Sequence, residues 1–330
     1  IALDLDVGYE SMSGATPWYI IPNADAEPLQ VMSGASLATC APNCVIEEQR
    51  VDATLAGTYE FDRAQAGLGV GFSLENDYRS ISGTLSGDRH FNEKNTTLSG
   101  SFGFSIDQLQ PTDADLFDTR PESADKQSYS FMAGLSQVLG RSSAIQTSLT
   151  YRLNNGFLSD PYKLAFVAGA TQGDSRPNKR NLISWLTRYR HHVSKWRGTL
   201  HLDYRLFLDD WKMNSHTFEI AWFQDIFRSI QLIPSLRYYS QSQAYFYAPW
   251  YDGPREDGLY SSDYRLSPYG ALSFRIKAVT RFSIANIDWI ADVGYERYMS
   301  GGGLALGDVV VANPGLVSFN MLSVGLGSRF

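Results

Sequence analysis

The feature that most constrains this chain is a side-chain period of two that runs through nearly all of its 330 residues. In the first twelve or so residues, Leu3, Leu5, Val7 and Tyr9 fall on one face and Asp4, Asp6 and Glu10 on the other. One half-buried strand of a water-soluble sheet would read the same way, so the argument rests on repetition. Fourteen such segments are read, at about 1–12, 49–61, 66–76, 79–91, 96–109, 127–139, 143–155, 181–193, 198–211, 215–227, 230–247, 262–278, 282–299 and 317–330. The connections alternate in length. Those after even-numbered segments are short, as at Asp62–Gln65, Asn92–Asn95, Arg141-Ser142 and Ser194–Arg197. Those after odd-numbered segments include all the long ones: 13–48, 110–126, 156–180, 248–261 and 300–316.

An even strand count with short turns at one end and long loops at the other predicts a transmembrane antiparallel up-and-down β-barrel of about 14 strands. It predicts a single domain over 1–330, both termini in the periplasm and the five long connections outside the cell. A β-sandwich or propeller would not explain the alternation of connections. Mean hydropathy is only -0.24, and no run reaches the roughly 18 to 20 apolar residues of a membrane helix. Barrel strands have low mean hydropathy because only alternate residues meet lipid. Aromatic residues make up 13% of the chain, which suits girdles at two bilayer interfaces. A net charge of -7 gives no nucleic-acid footprint. The chain starts at Ile1 rather than Met, so removal of a signal peptide is expected.

Period two also assigns faces. Outward positions include Leu68, Val70, Phe72, Phe102, Phe104, Phe131, Ile183, Trp185, Leu202, Tyr204, Phe218, Ile220, Trp289 and Val293. Inward positions include Arg152, Arg188, Arg190, His201, Asp203, Arg205, Glu219, Arg237, Arg275, Asp288, Asp292 and Glu296. A charge in the hydrocarbon zone costs several kcal/mol on the lipid face, so a barrel forces these inward. The second to sixth strands instead turn Gly67, Gly69, Gly71, Ser80, Ser82, Ser99 and Ser101 inward. Strands about 4.8 Å apart, tilted by about 40°, give a backbone cylinder roughly 28 Å across. The expectation is a cross-lumen ionic network of Arg188, Arg190, Asp203, Arg205, Arg237, Arg275, Asp288, Asp292 and Glu296, with any open passage along the Gly/Ser wall.

The last strand, Val317–Phe330, ends on an aromatic residue. It looks like the closing strand of a Gram-negative outer-membrane barrel, where a C-terminal aromatic is the insertion signal. That likeness implies that Phe330 is an assembly signal read by the barrel assembly machinery. A second likeness is carried by Asp160-Pro-Tyr-Lys163, Arg176-Pro-Asn-Lys-Arg180, Asp203-Tyr-Arg205, Asp209-Asp-Trp211, Ser215-His-Thr-x-Glu219 and Leu236-Arg-Tyr-Tyr-x-Gln-x-x-Ala-x-Phe-Tyr247, extended by Asp77-Tyr-Arg-Ser80 and Asp263-Tyr-Arg-Leu266. Together these resemble a bacterial outer-membrane family classed as a domain of unknown function. The resemblance implies an outer-membrane location among lipid and lipopolysaccharide. It points toward a small lipoprotein partner and flavin-linked extracytosolic redox work.

Candidate chemistry is sparse. Ser215, His216 and Glu219 suggest a nucleophile, base and acid, but Ser215 and His216 point to opposite faces of a strand. His191, His192 and His201 offer at most two inward ligands, too few for structural zinc, so no metal site is expected. Ser13-Gly-Ala-Thr16 resembles the acceptor motif of flavin transferases, with Thr16 as the attachment point; small-residue turns read the same way, and no cofactor is expected. Cys40 and Cys44 read as a loop disulfide. The clustered aromatics Tyr238, Tyr239, Tyr245, Phe246, Tyr247 and Trp250 read as girdle residues or, alternatively, as a stacking platform. Acidic 110–126 and basic 160–180 read as solvated loops or as loops docked ionically. Two functions fit: a porin-like pore, or a scaffold that seats a partner such as a lipoprotein in a redox or export complex. An enzyme is a third reading.

Overall fold

The computed structural model describes residues 1–14, 46–112, 114–115, 117–227, 229–284, 287–309 and 316–329. Its strands are β1 (Ala2–Gly14), β2 (Ile46–Glu60), β3 (Ala64–Glu75), β4 (Tyr78–Phe91), β5 (Thr96–Leu109), β6 (Ala124–Gly140), β7 (Ser143–Gly156), β8 (Leu164–Val167), β9 (Ala170–Gly173), β10 (Lys179–Val193), β11 (Gly198–Asp209), β12 (Asn214–Asp225), β13 (Ile230–Gln241), β14 (Tyr269–Ile284), β15 (Ile287–Gly301) and β16 (Phe319–Arg329). All but β8 and β9 form one 14-stranded sheet in strict chain order, each strand antiparallel to the next. Among the described residues β1 and β16 do not pair with each other. With an even strand count these two edge strands run in opposite directions, which is the orientation antiparallel closure needs.

The sheet follows the period-two pattern. Leu68 is 63% exposed, Phe131 51% and Val324 79%, and they belong to apolar rows that continue from strand to strand. Such an area in water would far exceed the few hundred Å² a soluble protein shows, so these rows face hydrocarbon. The opposite face carries Gly67, Gly69, Gly71, many of the serines and most of the charges of the strands. The buried core lies instead in the loops at the long-connection end. Trp211, Met213, Ala244, Phe246, Tyr247 and Leu266 form one cluster, and Ala165, Val167, Tyr251 and Tyr260 another.

That loop core corrects two sequence boundaries. The strand expected over 230–247 ends at Gln241, and the one expected from 262 begins at Tyr269. The connection between them is therefore 242–268, longer than 248–261. Its aromatic residues pack a loop core: Phe246 is fully buried and the adjacent Tyr247 nearly so. These two are therefore neither girdle nor stacking residues. The 156–180 connection contains the β8–β9 hairpin, too short for a periodic signal. The chain leaves β7 through Gly156, at φ +116°, where a Cβ would sit 2.3 Å from the Asp125 carbonyl oxygen.

Candidate functional site

The long connections converge on Asp263. Its carboxylate caps the short turn Tyr264–Leu266 by accepting from the Arg265 backbone N–H at 3.0 Å. It also accepts from Arg265 Nη2 at 2.6 Å and Arg176 Nη2 at 2.9 Å, with Lys163 Nζ at 3.6 Å. Arg176 Nε reaches Asp174 at 2.6 Å, Asp174 accepts from the Asp160 N–H at 2.8 Å, and Arg265 Nη2 bonds Asp160 at 3.1 Å. Three carboxylates and three cations thus close a ring of charge, with Asp263 1% and Lys163 4% exposed. Burial pushes the Asp263 carboxyl upward, but the Arg265 hydrogen bonds and the charges of Lys163 and Arg176 outweigh it and hold the group well below the usual carboxylate range. The strings Asp160–Lys163, Arg176–Arg180 and Asp263–Leu266, far apart in sequence, meet here.

Backbone bonds lace the same loops. Ser175 and Tyr260 exchange two N–H···O bonds at 2.8 and 2.9 Å, and Val167 bridges to Tyr251. The Tyr251 hydroxyl donates to the Phe246 carbonyl at 2.5 Å and accepts from the Ser261 N–H at 2.8 Å. Burial pushes this phenol up to about 12. A second node anchors the lid to the barrel rim: Arg180 Nη2 bonds Asp209 at 2.5 Å, and its guanidinium lies 4.2 Å from the Trp211 ring centroid. A third crosses the mouth. The Tyr162 hydroxyl donates to Asp77 in the β3–β4 turn and accepts from the Thr112 N–H, while Arg120 stacks on the Tyr162 and Phe117 rings. Burial and the Asp77 bond keep the Tyr162 phenol above its ordinary value.

Between this lid and the β1–β6 wall lies a cleft of about 560 Å³, lined by Glu10, Arg50, Glu75, Asp77, Tyr78, Lys126, Asp160, Tyr162, Arg176 and Arg265 among others. A second hollow of about 300 Å³ shares Tyr78 and Lys126 with it and is lined by Ser80, Thr84, Ser105, Asp107, Ser128, Ser130 and Arg152. Where the two meet, Lys126 Nζ lies 3.2 Å from Asp107. Polar space therefore extends from the mouth along the Gly/Ser wall.

The charged wall differs from the expected cross-lumen network. Arg190 grips Asp203 with both terminal guanidinium nitrogens, Nη1 and Nη2, and Arg188 lies 3.7 Å from the same carboxylate. These strands are neighbours, so the pairing runs along the wall rather than across the bore. Glu296 accepts from Ser273 and Asp288 from Ser283. Asp292 pairs with Lys277 at 3.0 Å. Arg205, Arg237 and Arg275 have no ion pair among the described residues; Arg237 stands opposite Glu219, and Arg275 opposite Glu296, in register only. Side chains at adjacent inward positions of neighbouring strands are close enough to bond. Lys277, Lys126, Asp107 and Arg50 were missed in sequence. Their inward parity was readable; the strand register that pairs them was not.

The catalytic reading of Ser215, His216 and Glu219 finds His216 on the lipid face, with Nδ1 2.9 Å from the Tyr204 hydroxyl. His191 bonds Ser143, His192 bonds Thr199, and the His201 ring lies 4.1 Å from that of Phe223. Thr16, Cys40, Cys44 and Phe330 lie outside the described residues.

These features define an outer-membrane β-barrel with a packed lid over one mouth. The chain belongs to the family described as "Protein of unknown function (DUF3570)", whose model matches residues 1–307. No curated protein sequence matches it. Among solved structures it is similar to the siderophore receptor PirA from Pseudomonas aeruginosa, with a TM-score of 0.51 at 9% identity, covering 77% of this chain and 46% of that one. It is similar to a bacterial polysaccharide outer membrane secretin, with a TM-score of 0.51 at 8% identity, covering 86% and 78%. The copper transporter OprC gives a TM-score of 0.50 at 10% identity, covering 80% and 49%. At such identities the likeness is one of fold, and the chain spans about half the length of the receptor and of the copper transporter. That fold belongs to the bacterial outer membrane.

Proposed function

We propose that this protein is a constricted outer-membrane pore for small hydrophilic solutes, a single barrel whose long connections face the cell exterior. The observation that carries the reading is the pair of polar hollows that share Tyr78 and Lys126 on the Gly/Ser wall, beneath a lid held by charge and packing. The lid restricts the mouth on the β10–β14 side, while small inward residues keep the β2–β6 side open. The cleft offers four acidic side chains, Glu10, Glu75, Asp77 and Asp160, and four basic ones, Arg50, Lys126, Arg176 and Arg265. Such a mouth admits polar solutes of either sign and weakly selects by net charge. Deeper in the lumen, Arg205, Arg237 and Arg275 set a basic strip against Asp203, Glu219, Asp288, Asp292 and Glu296.

Planar-bilayer recording of the purified protein tests this. Discrete conductance steps are expected, enlarged when the hairpin 164–173 is excised. A barrel silent in both forms would sink the pore reading and leave the scaffold, with a small lipoprotein in a redox or export complex sought by pull-down from the native membrane.

A further inference from the structure

The lipid face of β11–β13 changes character within a few rows of side chains. Register places Leu202, Ile220 and Leu236 in one row and Tyr204, Phe218 and Tyr238 in the next. Then come Leu206, His216 and Ser240. At the rim, Asn214 and Ser242 are joined by N–H bonds of 2.9 Å. Each row lies about 7 Å beyond the last. The lower rows line an apolar hollow of about 360 Å³. The upper rows line a mixed hollow of about 630 Å³, with Asn214, His216, Ser240, Ser242, Gln243 and Asp308 beside the apolar Pro268, Ala305, Leu306 and Val309 on its walls.

The upper hollow has a roof. The segment running from Leu304 to Val309 arches over the outer face of β13. The Tyr238 hydroxyl donates to the Leu304 carbonyl at 2.6 Å, and the Leu306 N–H donates to Ser240 Oγ at 2.8 Å. Gly270 permits this approach, since a Cβ there would lie 1.9 Å from the Leu304 oxygen. His216 joins the two hollows through its bond to Tyr204. Among the described residues, the side chains of Gln243 and Asp308 have no hydrogen-bond partner.

We infer that these stacked hollows are a site for one glycolipid, its sugar under the 304–309 arch and an acyl chain in the groove below. Among largely apolar walls, the polar groups of the upper hollow are amides, hydroxyls, an imidazole and one carboxylate, with no Lys or Arg. Phosphate would meet no cation and would be repelled by Asp308. Vicinal hydroxyls match this set of donors and acceptors, and the Tyr204–Phe218 pair, with centroids 4.6 Å apart, gives the chain an apolar floor. Assignment to the outer leaflet rests on the orientation proposed above; the choice of headgroup does not, nor does it depend on conductance.

Native mass spectrometry of the full-length barrel in detergent tests it. The probes are monoglucosyl diacylglycerol, phosphatidylglycerol and phosphatidylethanolamine with identical chains. The glucosyl lipid is expected to be retained preferentially. The double substitution Gln243→Ala with Asp308→Ala should weaken its retention by about tenfold, while Asn320→Ala, on the lipid face of β16, leaves it unchanged. Heat-modifiable migration verifies folding of each variant, and Gln243→Ala alone serves if the double variant misfolds. Equal retention of all three lipids, preference for either phospholipid, or retention indifferent to the rim substitutions would overturn the assignment.

Discussion

Substituting Asp263→Asn isolates the charge that locks the lid. Asparagine keeps the shape and still caps the Tyr264–Leu266 turn, so the backbone has little reason to move. What disappears is the negative charge facing Lys163, Arg176 and Arg265. Arg265 is 54% exposed as a side chain, so solvent screens its share to less than about 1 kcal/mol. Lys163 and Arg176 are buried, and Arg176 retains Asp174. Removing one partner of a buried ionic group costs about 3–5 kcal/mol, and the retained contacts place this case near 3. Lid opening should then rise roughly a hundredfold. Hydrogen exchange reads this directly at the Ser175 and Tyr260 amides, which bond across the two loops. Amides of β4 and β5 should keep their protection, since the sheet does not depend on the lid. The reasoning fails if Ser175 and Tyr260 exchange at the wild-type rate. It also fails if strand amides lose protection in parallel, because lid and barrel would then be one cooperative unit. The pH dependence has a definite sign. A depressed carboxyl contributes stability that is present above its unfolded value and lost as pH falls through its folded value. The share of lid protection that Asp263 supplies should therefore stay flat from neutrality to about pH 4, while burial holds the Asp174 carboxyl of the same ring above its ordinary value.

Three further outcomes follow from the same geometry. A cysteine at Gln172, exposed on β9, should react with an impermeant thiol reagent on whole cells, whereas one at Arg63 in the β2–β3 turn should not; the reverse pattern would invert the topology. Gly156→Ala meets the Asp125 carbonyl at 2.3 Å and an unfavourable φ of +116°, so thermal unfolding should show a loss of about 1–3 kcal/mol; an unchanged melting point would contradict the close approach. Arg237→Ala removes a lumenal cation that has no ion pair among the described residues, so reversal-potential measurements should shift toward cations with the fold intact, and no shift would place Arg237 off the conduction path.

The sequence by itself determined the sheet. Side-chain parity is a local property, so Leu68–Phe72 and Gly67–Gly71 could be put on opposite faces without knowing any partner strand. Strand count and the alternation of long and short connections then implied a barrel. The Ser215 and His216 parity argument was equally local. Pairings were another matter. Asp292 meets Lys277, and Asp203 holds both Arg188 and Arg190, because strand register brings them level, and register depends on turns and neighbours together. The lid lay beyond sequence reasoning for a stronger reason. Asp160, Lys163, Arg176 and Asp263 come from two connections up to about a hundred residues apart, and their role exists only where those connections meet. The aromatics of 242–247 show the same limit: their composition suits a strand, but the space they fill is made by Trp211, Met213 and Leu266, and only the folded mouth supplies it.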